Sequence, residues 1–294
     1  MDSNGLVERQ NSPSSLRMLA AQRQLYRDSK KINTLIFITS VLLPFICSLL
    51  RELVPSYPLL SIGSCVISIL GMIIGVFFAK YVNKRQTLAA KIQLLFDVEV
   101  FQLKWDERFF GSNSNTNSII AEKSMKILAD MDKRNLLLDW YPKQYDAFPL
   151  LKSIPLCQYA NINWDTKTRS LFKACIITLI AIMISAIIVL GVIKKESLEM
   201  FLVRLSFIIP LVKWLSSKII SIDADLNRLE ELKGIFLLDK EYDSNQLIVI
   251  QTKIQAHREK CTLIPDWFYL LNRKKQEEIM NITADIDASE NRKS

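Results

Sequence analysis

The sequence predicts an all-α membrane protein built from two transmembrane helical hairpins, four spans in all, with a mainly helical cytoplasmic domain. Three observations lead there. Residues 32–50, 53–79 and 174–193 contain no Asp, Glu, Lys, Arg or His, giving runs of 19, 27 and 20 residues that each suffice to cross a hydrocarbon core. Half of the 294 residues are hydrophobic and the mean hydropathy is +0.17, which excludes a disordered chain. Only 7 glycines are present, without turn signals at short intervals, which weighs against an all-β chain and against a glycine-rich phosphate loop.

Taken in order, residues 1–31 form a cytoplasmic N-terminal helix, started after Pro13 by Ser14 or Ser15. Its apolar run begins too late for a cleavable signal and lacks a small-residue exit, so the segment is expected to be retained. Residues 32–82 form the first hairpin: a helix from Ile32 to Leu50, a turn from Arg51 to Pro58, and a second helix from Leu59 to Val82. Residues 83–170 are the first part of the cytoplasmic domain. There Leu88, Ile92, Leu95, Phe96, Val100 and Leu103 recur at helical spacing and extend the second helix to about Trp105. The GSNSNTNS stretch at 111–118 reads as a loop, Ile120, Ile127, Leu128 and Met131 mark a further helix, and Trp140-Tyr141-Pro142 is an irregular aromatic corner. Residues 171–220 form the second hairpin, Leu171 to Ile193 and Leu198 to Ile220. The fourth helix carries Arg204, Lys213 and Lys218, so a soluble amphipathic helix is the alternative there; the short Lys194–Glu196 connection favours an immediate return through the membrane. Residues 221–294 complete the cytoplasmic domain. Ile222, Leu226, Leu229, Leu232 and Phe236 mark its first helix, with Asp225, Glu230 and Glu231 expected on a solvated outer face.

Charge sets the orientation. Arg17, Arg23, Arg27, Lys30 and Lys31 precede the first span and Lys80, Lys84, Arg85 and Lys91 follow the second, whereas the two short turns together offer only Arg51, Lys194 and Lys195. The positive-inside rule then places both termini, the 83–170 connection and the tail in the cytoplasm. The formal charge of +8 is concentrated beside the spans, where topology and anionic lipid account for it without DNA or RNA as a partner.

Little in the sequence speaks for catalysis. His257 is the single histidine, which excludes sites needing two, and a solvated or capping role is expected for it. Cys47, Cys65, Cys157, Cys175 and Cys261 form no CxxC pair and read as small apolar residues, so neither a metal site nor a disulfide framework is expected. Asp97 and Glu99, two apart on a helix, point to different sides. The uncharged runs hold no carboxylate, which counts against a proton-coupled transporter. The chain reads as no enzyme, with no catalytic residues and no cofactor.

The apolar helices carry small-residue faces. Ser61, Ser64, Ser68, Gly71, Gly75 and Ala79 follow one another at spacings of 3, 4, 3, 4 and 4, and Ala174, Thr178, Ala181 and Ser185 at 4, 3 and 4. Such faces let backbones approach closely, either among the helices of one protomer or between the subunits of a homo-oligomer. Pro44 and Pro210 each remove a backbone donor and are expected to kink their helices. Arg204 either snorkels to the interface or lines a pore.

Five segments, AAQRQLY (20–26), LFDVEVFQLKW (95–105), DWYP (139–142), CQYANINWD (157–165) and IPDWFY (264–269), together with the paired-span layout, resemble the bacterial S-4TM family of four-helix membrane effectors. The resemblance implies an inner-membrane, pore-forming effector of antiviral defence, responding to a cyclic oligonucleotide or related second messenger made by a partner nucleotidyltransferase or cyclase. A nucleotide site wants planar rings for stacking and Lys or Arg for phosphates. Trp140, Tyr141, Lys143, Trp164, Arg169, Trp267 and Tyr269 offer that chemistry, and the same aromatics also suit a sealed core or an interfacial belt. The rival function is a non-pore membrane scaffold or receptor that recruits a cytoplasmic protein.

Overall fold

The computed structural model describes residues 3–46, 59–112, 116–195, 197–236 and 241–290, with side chains described except at 59–62, 64, 65, 68, 72, 200, 203, 204, 206 and 207. Among the described residues the chain forms ten α-helices and no strand: α1 (Leu6–Gln10), α2 (Pro13–Phe37), α3 (Leu59–Val100), α4 (Glu107–Phe110), α5 (Thr116–Leu128), α6 (Met131–Asn135), α7 (Leu150–Ile193), α8 (Leu198–Ile235), α9 (Ser244–Lys260) and α10 (Asp266–Glu290). A π-helical turn, Ile38–Leu42, follows α2, and a 3₁₀ turn, Lys143–Ala147, precedes α7. The Arg51 to Pro58 turn and Cys47 lie outside the described residues.

Local chemistry sets the helix ends. Pro13 begins α2 rather than preceding it: the Ser12 hydroxyl accepts from the Ser15 N–H at 3.2 Å, and proline in the first position has no N–H to leave orphaned. Helix α3 stops at Val100, short of Trp105, because Gln102 turns to a φ of 53°. That left-handed residue lets the Leu103 N–H reach the Val98 carbonyl at 3.0 Å, which satisfies a carbonyl the helix would otherwise orphan. Asp243 and Gln246 open α9 with a reciprocal capping box. Helix α5 starts at Thr116, inside the stretch read as a loop.

Three helices far exceed the length of a span. Helices α3, α7 and α8 have 42, 44 and 38 residues, whereas about 20 cross a hydrocarbon core of about 30 Å. The third apolar run is thus the second half of a helix that starts at Leu150, and the fourth candidate span is continuous with the helix read from Ile222 onward. Pro210 lies within α8, and Pro44 follows the π turn, where widened hydrogen bonding accommodates a residue without an N–H.

The chain divides into two compact units, one of Met1–Ser29, Asn83–Thr168 and Asp225–Ser294, the other of Lys30–Val82 and Arg169–Ala224. The first, called here the polar-centred unit, buries Leu19, Leu25, Ile92, Phe96, Phe101 and Ile154. Asn4 ties its N-terminal end to the 3₁₀ corner by donating to the Phe148 carbonyl at 2.8 Å and to the Ser153 hydroxyl at 2.7 Å.

The second, the apolar unit, is packed differently. Gly71 is buried, and a Cβ at that position would lie 2.8 Å from the backbone of Ser40, so the close approach at this glycine is made within the chain. Phe37 and Trp214 meet with ring centroids 4.2 Å apart, and Ile176 on α7 and Ile208, Leu211 and Leu215 on α8 are buried. Thr34 and Thr39 return their hydroxyls to carbonyls four residues back, which satisfies polar groups inside an apolar helix. The outward residues are apolar: Val76 and Phe77 are 73% and 76% exposed, and Ile182 and Val192 are also exposed. Pro13–Ile46 and Leu150–Ile193 are long and apolar enough to cross a membrane, with only 11% of the most apolar stretch of each buried.

Candidate functional site

At the centre of the polar-centred unit lies a carboxylate. Asp97 on α3 is 1% exposed and accepts from the Tyr141 hydroxyl at 2.7 Å, from Gln251 Nε2 and from the Arg258 guanidinium. Gln158 on α7 donates in turn to Gln251 Oε1. The five side chains come from α3, the aromatic corner, α7 and α9, so one buried network joins four parts of the chain. Burial alone would weaken the Arg258 charge, but Asp97 and Tyr141 outweigh it and hold the guanidinium protonated. Burial pushes the Tyr141 phenol well above its ordinary value, with Asp97 adding to the shift. The neighbouring Cys157 thiol is raised well above its ordinary value for the same two reasons, so it is inert rather than nucleophilic.

A second cluster forms where α7, α9 and α10 meet within the same unit. Trp164 and Tyr269 are 6.0 Å apart between ring centroids. Asp165, next to Trp164, lies 3.0 Å from His257 Nε2, and its carboxylate accepts from the ring N–H in the tautomer that places the proton there. His257 is buried, which corrects the expectation of a solvated or capping role; α9 turns it inward against α7. Asp225 corrects its expectation too, being 1% exposed, paired with Arg228 and accepting from the Thr262 N–H at 2.8 Å. Beside the Trp164 ring, α7 and α10 enclose a pocket of about 180 Å³ lined by Tyr159, Asn163, Trp164, Lys167, Gln276 and Met280, among others. Tyr145 closes one end by donating to Asp287 at 2.7 Å.

The residues singled out for a ligand do not form one group. Tyr141 is core, stacked on Phe96 at 6.0 Å, and Trp140 sits edge-on to the same Phe96 at 6.3 Å. Lys143 is exposed and pairs with Asp139. Trp164 and Tyr269 come together at the second cluster, whereas Trp267 is 61% exposed. Arg169 is buried and belongs to the apolar unit. Of the association faces, Gly71 packs on Ser40 and Gly75 lies against Ile36, while Ala174, Thr178, Ala181 and Ser185 are exposed in this chain. Ser61, Ser64, Ser68 and Arg204 lie outside the residues whose side chains are described. Arg258, Gln251 and Gln158 were not legible as partners of Asp97, because Gln251 and Arg258 stand 154 and 161 positions from it in the chain and carry no local pattern.

Fold and site together define a class: an all-helical chain that joins long apolar helices to a helical unit with a buried ionic centre. The chain belongs to the SMODS-associating 4TM effector domain family, whose model matches residues 4–286. It is similar to a protein of Bacillus cereus (strain VD146) named a probable CBASS effector molecule, with 24% identity over 297 residues that cover 94% of this chain and 95% of that protein. No solved structure matches.

Proposed function

We propose that this protein is a membrane-disrupting effector of bacterial antiphage defence, held in the inner membrane by four spans with both termini cytoplasmic. In this reading it performs no covalent chemistry and is activated by a nucleotide second messenger, such as a cyclic oligonucleotide, made by a partner nucleotidyltransferase or cyclase. The observation that carries the reading is the apolar exterior of the unit built from Lys30–Val82 and Arg169–Ala224. A surface with Val76, Phe77, Ile182 and Val192 turned outward suits lipid and is costly in water. Family membership supports the effector class, and the relative's name supports the link to nucleotide-triggered defence.

Activation needs a ligand with unequal affinity for two packings, since tight but equal binding shifts nothing. Helices α2, α3, α7 and α8 supply the mechanical route, because each carries residues of both units without interruption in α3, α7 and α8. Homo-oligomerisation through the exposed small residues of α7 supplies a lumen larger than one protomer offers.

The test is dye release from liposomes of phosphatidylethanolamine and phosphatidylglycerol carrying the full chain. Release on adding one member of a cyclic oligonucleotide panel, and quiet vesicles without it, is the expected result. Leakage indifferent to every nucleotide overturns the gating. Vesicles that never leak, in a protein that captures a cytoplasmic partner instead, favour the scaffold reading.

A further inference from the structure

One cluster outside the Asp97 network holds more positive charge than its surroundings answer. Arg23 and Arg27, one turn apart on α2, are both partly buried, and among the described residues neither donates a hydrogen bond nor enters an ion pair. A guanidinium has five donors, and neither group has a nitrogen among the fully buried unpartnered atoms, so their donors stay open to an arriving anion. Arg23 lies within electrostatic range of Arg27, of Arg273 and Tyr269 on α10, and of Asp266. Burial pulls its pKa below the ordinary value, with Tyr269 and Asp266 opposing and Arg273 and Arg27 reinforcing the shift.

Asp266 attracts Arg23 across space but accepts no hydrogen bond from it, and three other nearby carboxylates are committed elsewhere. Asp28 accepts from Arg85 and Gln24, Asp165 contacts His257, and Glu277 pairs with Arg273. Arg273 is held in place by Glu277 and by the Leu136 carbonyl at 3.0 Å, which leaves its Nη1 uncommitted. The cluster therefore presents two unpartnered guanidinium groups and part of a third.

A planar surface adjoins it. Tyr269, in range of Arg23, touches Trp164, and Trp164 is also a wall of the 180 Å³ pocket, with the Asn163 and Gln276 amides and the Lys167 ammonium on its lining. Arg23, Trp164 and Tyr269 come from AAQRQLY, CQYANINWD and IPDWFY, three segments more than 100 positions apart that this fold brings to one place.

We propose that Arg23, Arg27 and Arg273 receive the phosphate of an anionic ligand whose planar part packs against Trp164 in the adjoining pocket. Arginine suits this role because its fork presents parallel donors to phosphate oxygens. The ligand supplies the acceptors the cluster lacks, so binding relieves like-charge repulsion and draws α2 and α10 together. The proposal rests on the nucleotide reading above and locates its site. The shared chemistry is the phosphate, which a soluble nucleotide or a lipid headgroup can each provide.

The experiment uses the full chain in phosphatidylcholine nanodiscs, followed by thermal melting and calorimetric titration. The probes are a cyclic oligonucleotide panel, inorganic pyrophosphate, and discs doped with phosphatidylglycerol. A panel member should raise the melting temperature of the wild type, with affinity falling as salt rises. Arg23→Gln should melt at the same temperature or higher without ligand, since no hydrogen bond is lost and a partly buried charge beside other guanidinium groups is removed, while its affinity falls about tenfold or more. Arg27→Gln should weaken binding in the same direction, and Arg108→Gln at an exposed surface site should not. Equal affinity in wild type and Arg23→Gln would overturn the site and leave nucleotide activation standing. Stabilisation by phosphatidylglycerol alone, lost in Arg23→Gln, would uphold the phosphate site and overturn the nucleotide. A lower melting temperature of Arg23→Gln together with normal binding by Arg27→Gln would make Arg23 a packing residue and end the proposal, as would a wild type that no probe shifts.

Discussion

The two units bury opposite things. The polar-centred unit hides a carboxylate and a guanidinium at its middle, and both carboxylate oxygens of that ion pair accept from neighbouring elements. The apolar unit turns Val76 and Phe77 outward, sets a bare glycine against a serine backbone and tilts two half-buried rings against each other. A single helix obeys both rules: along α3, Phe77 faces out and Asp97 faces in, 20 positions apart. The difference teaches that the surrounding medium decides what a helix must hide. In water, burying apolar surface is the main drive, and a buried charge survives only when paired. In lipid that drive between helices is absent, and close fit takes its place.

The contrast breaks most deeply at the ionic centre. Asp97→Ala leaves Arg258 buried and unpaired, and should destabilise the polar-centred unit by about 3–5 kcal/mol. Pulsed hydrogen exchange in detergent should show protection lost in α9 and α10 while the 59–82 stretch stays protected; uniform protection would mean the network carries no such role.

Gly71→Leu tests the other side. Its side chain would meet the Ser40 backbone, which cannot yield as a side-chain tip can, and overpacking of this kind costs about 1–3 kcal/mol. Exchange should now rise in 30–46 and 59–82 and leave the Asp97 network intact, and melting should follow the same division.

Tyr141→Phe removes one donor to Asp97 and should cost about 1–3 kcal/mol near neutral pH. Its pH dependence sharpens the comparison. Because burial raises the Tyr141 pKa above an ordinary value of about 10, the folded chain holds the phenolic proton more tightly than the unfolded chain. The contribution is therefore complete below pH 10 and declines as pH rises beyond it. The melting temperature should fall with pH above that point, and less steeply in Tyr141→Phe; equal slopes would assign the decline to Tyr145, Tyr269 or Cys157, whose groups are raised in the same direction.

The smallest effect belongs to Trp267→Ala. The ring is exposed, so folding stability should change by less than about 0.5 kcal/mol, and its neighbours in the fold should melt as before.

Much of this was legible along the chain. The all-helical class followed from uncharged runs and helical periodicity, and the five short motifs were enough to point to the family that the comparison then showed. The boundaries were less legible. Helix α7 begins at Leu150, 21 residues before the apolar run assigned to it, because Pro155 and the polar stretch from Gln158 to Thr168 mask a helix that tertiary packing sustains. Helix α3 ends early, at Val100, because Gln102, a residue with no sequence preference for the left-handed turn, adopts it.

By itself the sequence determined the helical class, the location of the apolar runs and the identity of the motifs, since each is a pattern within a window of about 20 residues and depends on local spacing alone. Only the tertiary structure decided what the motif residues do. It made Tyr141 a core residue on Asp97, set Gly71 against Ser40 within the chain, buried His257, and gathered Arg23, Trp164 and Tyr269 from three distant segments. Those outcomes depend on which helices pack together, and partner choice rests on shape and charge summed over residues far apart in the chain, which no local period records.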